Sequence, residues 1–384
     1  MDDATQSQQP VFALLADPAT HGGHAVKRIE DVLTLRSRQF REDAGPLAHP
    51  VRPESFIEIN NFYTATVYEK GAEVIGMLKR LVGEAGWRAA LDLYFARHDG
   101  RAATVEDWLA VFEEATGRDL AQFRRWYSEA GTPRVHVAEA WEPAARRYTL
   151  TFRQDNPPTP GQPVKQPKVI PVAVGLLNPN GDEVVPTTVL ELTEAEQSFT
   201  FGDLATRPIP SILRGFSAPV VLDRTVSPEE RAFLLAHDTD PFNRWEAGRA
   251  LAKDVLGRMV TEGAQPGPDW LDALARVAFD DSLDPAFRAL ALRSPGEDDM
   301  AQTLHDAGHV PDPDAIHAAR DRMAQAIAQR LAPGLPALID GLAEPGPFTP
   351  EARGAGRRAL RLAALALAAR LDDGRAAAAA FRTA

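Results

Sequence analysis

The chain has 384 residues, with 42 Lys and Arg against 54 Asp and Glu, a formal net charge of -12, 44% hydrophobic residues and no Cys. That length allows two or three domains at roughly 100–200 residues each, with a sizeable buried core. Zero Cys excludes a disulfide scaffold, thiolate metal ligands and a thiol nucleophile, and the acidic balance argues against a nucleic-acid binder, which shows a basic footprint.

No run of about 18 apolar residues occurs, so no membrane-spanning helix is expected. The polar, acidic start, Met1-Asp2-Asp3-Ala4-Thr5-Gln6-Ser7-Gln8-Gln9-Pro10, is the reverse of a secretory leader, and a cytoplasmic location is the expectation. The first stretch, to about Pro133, reads as helices joined by loops. Val26, Ile29, Val32, Leu33 and Leu35 recur at near-helical spacing over Val26 to Phe40. A Gly- and Pro-rich loop follows from Glu42 to Pro53. A second helix starts near Thr64, with Val67, Val74, Ile75, Leu78 and Leu81 as its apolar stripe, and Trp87 to Arg97 forms a third. Thr104-Val105-Glu106-Asp107 is a helix start, with Thr as N-cap and acids in the first turn. Leu120 to Ala130 reads as a last short helix, ended by Gly131-Thr132-Pro133.

The pattern then changes to short apolar or alternating runs: Val135-His136-Val137, Tyr148 to Phe152, Val169 to Leu177, Ser198 to Phe201 and Val220 to Leu222. Turn clusters at Asn156 to Gly161, Asn178 to Asp182 and Arg207 to Pro210 separate them, which predicts a small antiparallel β-sandwich of about 90 residues. From Ser227 onward the chain is Ala- and Leu-rich and helical, opening on the N-cap and first turn Ser227-Pro228-Glu229-Glu230. Helices are expected near Phe242–Thr261, Trp270–Asp280, Pro285–Leu292, Asp312–Leu331 and Pro350–Leu371. Successive helices without strands resemble an α-solenoid, although no fixed period is present.

The densest polar and aromatic cluster is Glu58-Ile59-Asn60-Asn61-Phe62-Tyr63-Thr64-Ala65-Thr66-Val67-Tyr68-Glu69-Lys70-Gly71. A phenol in a dry cleft is a good hydrogen-bond donor to a developing oxyanion, whereas the plainer reading is a tyrosine at a helix tip that caps the core. Val67-Tyr68-Glu69-Lys70-Gly71-Ala72-Glu73-Val74 resembles the VYEKGAEV segment of bacterial aminopeptidase N, a zinc metallopeptidase family of the gluzincin type. The similarity continues in order through Ala25 to Val32, Glu42-Asp43-Ala44-Gly45-Pro46, Ala48-His49-Pro50, Arg52-Pro53, Tyr94-Phe95, Arg97 to Gly100, Gln122 to Ser128 and Gly131-Thr132-Pro133. Gln166-Pro167, Phe216 to Val220 and Arg244-Trp245 extend it, so it covers nearly the whole chain from about Ala25.

The resemblance implies a multi-domain α+β fold. Residues 25–133 would be the helical part of a thermolysin-like catalytic domain, 134–226 a small antiparallel Ig-like β-sandwich, and 227–384 an α-helical, solenoid-like domain that is cut short. Residues 1–24 stay unmatched. In that family the motif tyrosine, here Tyr68, donates a hydrogen bond to the tetrahedral gem-diolate formed when zinc-bound water attacks the peptide carbonyl. Asn60, Asn61 and Tyr63 would shape the wall of the site. Peptides with a free N-terminus are the implied substrates and Zn2+ the implied cofactor.

The family's HExxH helix, its further Glu ligand and its GAMEN-like segment should precede the Ala25 match, and nothing in the first two dozen residues resembles them. The expectation is therefore a downstream fragment, inactive alone, whose partner is the missing N-terminal half of the catalytic domain. A non-catalytic interaction module made of a sandwich and a helical array is the alternative. His305 and His309 have i, i+4 spacing around Asp306, but Gly308 and the following Pro311 weaken that helix, so two exposed histidines at a helix end are expected there rather than a metal site. His21-Gly22-Gly23-His24 offers no third ligand. His49 and His98 are expected in structural hydrogen bonds.

Overall fold

The computed structural model describes residues 21–344, 346 and 351–382, with side chains from residue 25 onward. These fall into two compact units, one built from Ile29–Val226 with His237–Asn243, the other from Ser227–Ala236 and the chain from Arg244, joined by the described residues before Ile29.

α1 (His21–Thr34), of which the part from Ile29 belongs to the first unit, runs without a break through a π-turn at Leu35–Gln39 into the single turn α2 (Phe40–Asp43). Ile29, Val32 and Leu35, three of the periodic positions, are almost fully buried. After the Gly- and Pro-rich loop comes a 3-10 turn, Ile59–Phe62, then a second π-turn, Thr66–Lys70, which leads directly into α3 (Gly71–His98). The two helices expected on either side of residue 83 lie end to end in α3, with a break at Gly83 (φ 71, ψ 172), a backbone state that favours glycine. Val74, Met77, Leu78 and Leu81 face the core. α4 (Val105–Thr116) begins with the expected cap: Asp107 N–H donates to Thr104 Oγ1 at 3.1 Å and Thr104 N–H to Asp107 Oδ2 at 2.9 Å. α3 and α4 pack through aromatic rings, Trp87 on Phe112 at 5.3 Å and on Trp108 at 5.9 Å between centroids.

The helix expected over Leu120–Ala130 is reduced to one turn, α5 (Arg125–Ser128). The physical reason is that this segment is spent on the neighbouring sheet. Gln122 Nε2 donates to the carbonyls of Pro167 (3.1 Å) and Thr193 (2.7 Å), and Trp126 Nε1, fully buried, donates to Val169 O at 2.7 Å.

Two sheets follow. β1 (Arg134–Glu142), β2 (Arg147–Asp155), β5 (Glu196–Phe201) and β7 (Val221–Asp223) form one in the order β5-β2-β1-β7; β3 (Ile170–Leu177), β4 (Glu183–Leu192) and β6 (Ile209–Ile212) form the other in the order β4-β3-β6. Pairing is antiparallel except for β7, which lies parallel to β1 with Arg134 opposite Val221. Two strands differ from the sequence expectation, β4 and β6. Both are edge strands of the smaller sheet. β4 is largely exposed and lacks an apolar alternation, and β6 carries Pro210, which read as a turn but is tolerated where one flank of the strand is unpaired. β3, buried at every position, is the centre of that sheet.

Beyond β6 the backbone bends through Leu213 (φ 62), Gly215 (φ 58) and Phe216 (φ 50) and places Arg214 inside the fold. Its guanidinium pairs with Glu183 and, at 3.2 Å, with Asp238, while Nε donates to Ser211 Oγ at 2.9 Å. It lies flat against Gly175 of β3, where a Cβ would come within 2.1 Å of the guanidinium carbon.

The second unit is all helix: α6 (Pro228–His237), α7 (Pro241–Thr261), α8 (Pro268–Phe279), α9 (Pro285–Ala291), α10 (Glu297–Asp306), α11 (Pro313–Leu331), α12 (Leu335–Gly341), α13 (Ala352–Asp372) and α14 (Arg375–Arg382), where α6 and α7 each give their terminal residues to the first unit. Ser227 caps α6 as expected, its Oγ accepting from Glu230 N–H at 3.2 Å. Leu256, Met259, Met300, Ala319, Met323, Ile327 and Leu360 form the shared core. The short helices α12 and α14 were not distinguished in the sequence, because each is only 7–8 residues long and bounded by Gly.

Because Arg214 is locked by two carboxylates, it cannot swing aside for a new methyl group. Gly175→Ala is therefore expected to destabilise the first unit by about 1–3 kcal/mol. Urea denaturation followed by intrinsic fluorescence measures it, and a shift within experimental error would show that Arg214 is not fixed as described.

Candidate active-site segment

Tyr68 sits in the middle of the Thr66–Lys70 π-turn. Such wide turns recur at functional positions because they push one residue out of the regular helical register. Here both ends of the turn are tied down by consecutive acids of α2. Glu42 Oε2 accepts from Thr66 N–H and Thr66 Oγ1, both at 2.7 Å, and Gln39 Nε2 donates to the same hydroxyl at 3.3 Å. Lys70 Nζ, 1% exposed, donates to Asp43 Oδ2 and to Gly131 O, each at 2.8 Å. Asp43 also accepts from Gly131 N–H (3.2 Å) and Thr132 Oγ1 (2.8 Å). Burial pushes the Asp43 carboxyl up, but the adjacent Lys70 ammonium and the surrounding hydrogen-bond donors outweigh it and hold the group below the ordinary carboxylate range.

Thr66 and Lys70 are buried, and Tyr68, two residues from each, faces the other way with 38% of its surface exposed. Its ring stacks on Tyr63 (6.1 Å between centroids, 29° between planes), which is 57% exposed. Tyr63 in turn meets Phe62 edge-on at 5.8 Å, and Phe62 meets Phe56 at 5.7 Å. Asn60 and Asn61 are exposed on the 3-10 turn that carries this row. Asn61 Oδ1 accepts from Glu58 N–H at 3.1 Å, so this side chain closes its own turn. The structure thus brings Asn60, Asn61, Tyr63 and Tyr68 onto one short stretch of surface.

The histidines of the sequence reading are placed as follows. His49 bonds the Pro50 carbonyl through Nδ1 at 2.8 Å and its Nε2 lies 3.9 Å from Glu42. His98 packs its ring on Tyr94 at 5.2 Å. His305 lies in the last turn of α10 with its side chain 73% exposed. Gly308 then adopts φ 83, and His309 N–H closes back on Leu304 O at 2.9 Å, so the helix ends between the two imidazoles. The side chains of His21 and His24 lie outside the described residues. Among the described residues no group of three or more His, Asp or Glu could hold a metal ion.

What the sequence reading missed is the fastening. Glu42 and Asp43 lie in one motif and Thr66 and Lys70 in another, 24 and 27 residues away, and no local spacing signals that they touch.

A peptidase family M1 domain matches residues 14–127. A domain of unknown function with an Ig-like fold (DUF3458) matches 131–225, and one described as ARM repeats (DUF3458_C) matches 228–384. The chain is 49% identical over 341 residues to aminopeptidase N of Caulobacter vibrioides, covering 88% of this chain and 39% of that protein. It is 42% identical over 332 residues to aminopeptidase N of Escherichia coli, covering 83% and 38%. The crystal structure of Legionella pneumophila aminopeptidase A in complex with aspartic acid superposes with a TM-score of 0.73 at 26% identity, over 89% of this chain and 41% of that one. A helical M1 segment, an Ig-like sandwich and an ARM-like array define a protein of the M1 metallopeptidase class. The chain belongs to the bacterial aminopeptidase N family, and it spans about two fifths of the length of the relatives it matches.

Breaking the Asp43–Lys70 pair leaves a buried charge without a partner. Lys70→Met is expected to cost about 3–5 kcal/mol, and Lys70→Met with Asp43→Leu considerably less. With its folded pKa lowered, Asp43 contributes stability that is present above the ordinary carboxylate value and lost as pH falls through the lowered one. Denaturant midpoints at neutral pH and near pH 3 should therefore converge further for the wild-type chain and the double variant. Equal differences at both pH values would contradict this role.

Proposed function

We propose that this chain is the downstream part of a zinc aminopeptidase that removes N-terminal residues from peptides with a free N-terminus, acting in the cytoplasm. Residues 25–133 form the downstream helical part of its catalytic domain, 134–226 the sandwich and 227–384 the helical array. The observation that carries the reading is Tyr68: a phenol presented outward from a π-turn whose two ends are fixed by Glu42 and Asp43. A group held from both sides keeps its orientation when charge develops nearby, which is the requirement for stabilising an oxyanion without reorganisation.

In this reading the Tyr68 hydroxyl donates to the oxygen of the scissile carbonyl as that carbon becomes tetrahedral. Tyr63 supports the ring by stacking, and Asn60 and Asn61 form the adjoining wall. Zinc, when bound in the complete enzyme, supplies Lewis acidity and water activation. Among the described residues no group of three or more His, Asp or Glu fits that ion; this reading gives its ligands and the general base to the upstream half of the catalytic domain as the chain's partner. M1 aminopeptidases are metallopeptidases, but the activity of this chain alone is expected to be nil.

Two measurements test this. In a complete enzyme carrying this segment, Tyr68→Phe should lower kcat by about 100- to 1,000-fold with KM little changed; unchanged turnover removes the assignment. The purified chain should neither retain zinc after dialysis nor cleave an alanyl substrate, and chelator-sensitive turnover by it would overturn the division of labour.

A further inference from the structure

The chain carries only six lysines among its 42 basic residues, and three of them, Lys70, Lys165 and Lys168, meet where Glu129–Thr132 passes between the helical segment and the sandwich. Lys70 Nζ sits on the carbonyl of Gly131, and Lys165 Nζ on the preceding carbonyl, Ala130, at 2.5 Å. Lys168 Nζ pairs with Glu129, and its side chain, like that of Lys70, is 1% exposed. Arg125 adds a fourth cation, donating to Pro167 O. The backbone is shaped for this crowding. Gly131 has φ 88, and a Cβ there would lie 3.0 Å from Lys165 Nζ and 2.9 Å from Thr159 Cγ2.

The three amines differ in their surroundings. Lys70 rests on Asp43 and Lys168 on Glu129, both shielded from water. Lys165 is held by a neutral carbonyl and remains partly open to solvent, next to Val164, which is 78% exposed. Burial, and then the ammonium groups of Lys168 and Lys70, push the Lys165 amine down to about 8. At pH 7.5 roughly a quarter of it is the neutral nucleophile, against about one part in a thousand for an ordinary lysine.

We propose that Lys165 is an acylation site, modified by small acyl phosphates in preference to the lysines elsewhere in the chain. The donor class follows from charge. An acyl phosphate is small enough to reach a half-open amine, its phosphate is drawn to the three cations around the neutral amine, Lys70, Lys168 and Arg125, set against the two carboxylates Asp43 and Glu129, and phosphate leaves without needing a general acid. In the step, the Lys165 Nζ lone pair attacks the acyl carbon and the N–C bond forms. The C–O bond to phosphate breaks with its electrons leaving as inorganic phosphate, and the nitrogen releases its surplus proton to water. The product amide is neutral, so modification removes one positive charge from the crowded cluster.

The test uses the intact wild-type chain incubated with acetyl phosphate, with site occupancy followed over time by peptide mass spectrometry. Lys165 is expected to acetylate roughly tenfold or more faster than Lys27, Lys79 and Lys253 at pH 7.5, with a rate that levels off above about pH 8. With acetic anhydride, which carries no phosphate, the preference for Lys165 should shrink. Labelling of Lys165 no faster than of Lys79 and Lys253, or a rate still rising steeply beyond pH 9, would overturn the site. Equal preference with both reagents would overturn the donor class.

Discussion

The Asp43–Lys70 ion pair is the contact on which the rest of the first unit depends. Taking both charges out of water is costly, and only full satisfaction of the carboxylate and the ammonium makes it tolerable. Within 3.2 Å, Asp43 accepts from Lys70, Gly131 N–H and Thr132 Oγ1, and Lys70 also donates to Gly131 O. The partners come from three separate stretches of chain, so the pair fixes α2, the π-turn and the approach to β1 against one another. A buried pair of this kind contributes little net stability compared with an apolar pair of equal volume. It does discriminate strongly among packings, since any shift in register strands a charge.

That register decides where Tyr68 points. On a wide turn, residues four apart share a face, and Thr66 and Lys70 are both anchored inward, the first by Glu42 and the second by Asp43. Tyr68, midway between them, is left on the opposite face and remains 38% exposed although Thr66 and Lys70 are buried. Its environment is then completed from the other side by Tyr63, whose own position is set by the Asn61-closed turn. Orientation of the phenol thus comes from Tyr63 on one side and from Glu42 and Asp43, which hold the turn without being near it in sequence, on the other.

The coarse architecture could be read from the sequence because apolar periodicity reports burial directly. Ile29, Val32 and Leu35 on one helix, and the unbroken apolar run of β3, left no alternative face to bury. The cap at Thr104 was equally plain, since Thr and Asp at that spacing satisfy each other's backbone donors. What stayed hidden was set by distant partners. Leu120–Ala130 has helical periodicity, yet Gln122 and Trp126 bond to the segments that flank β3 and β4, and only one turn remains helical. Pro210 looked like a turn because nothing local says that it lies at an edge. The candidate site behaves in the same way. Tyr68, Tyr63, Asn60 and Asn61 were found because they are contiguous, whereas Asp43 and Gly131, 27 and 61 residues from Lys70, could be connected to it only in three dimensions.

The choice of lysine over arginine at position 70 has a consequence beyond the pair itself. An ammonium is compact and directs its donors tetrahedrally, so it can serve Asp43 and the Gly131 carbonyl at once in a space that a planar guanidinium would overfill. Gly131 at φ 88 then exposes the neighbouring Ala130 carbonyl toward the sandwich, where Lys165 takes it. Two amines on consecutive carbonyls, with a third on Glu129, are more positive charge than the local carboxylates balance. The two buried amines keep their acids, and the excess falls on the one that does not have one. The depressed basicity of Lys165 is therefore not a separate design. It follows first from burial, and then from the ammonium groups of Lys168 and Lys70 packed beside it.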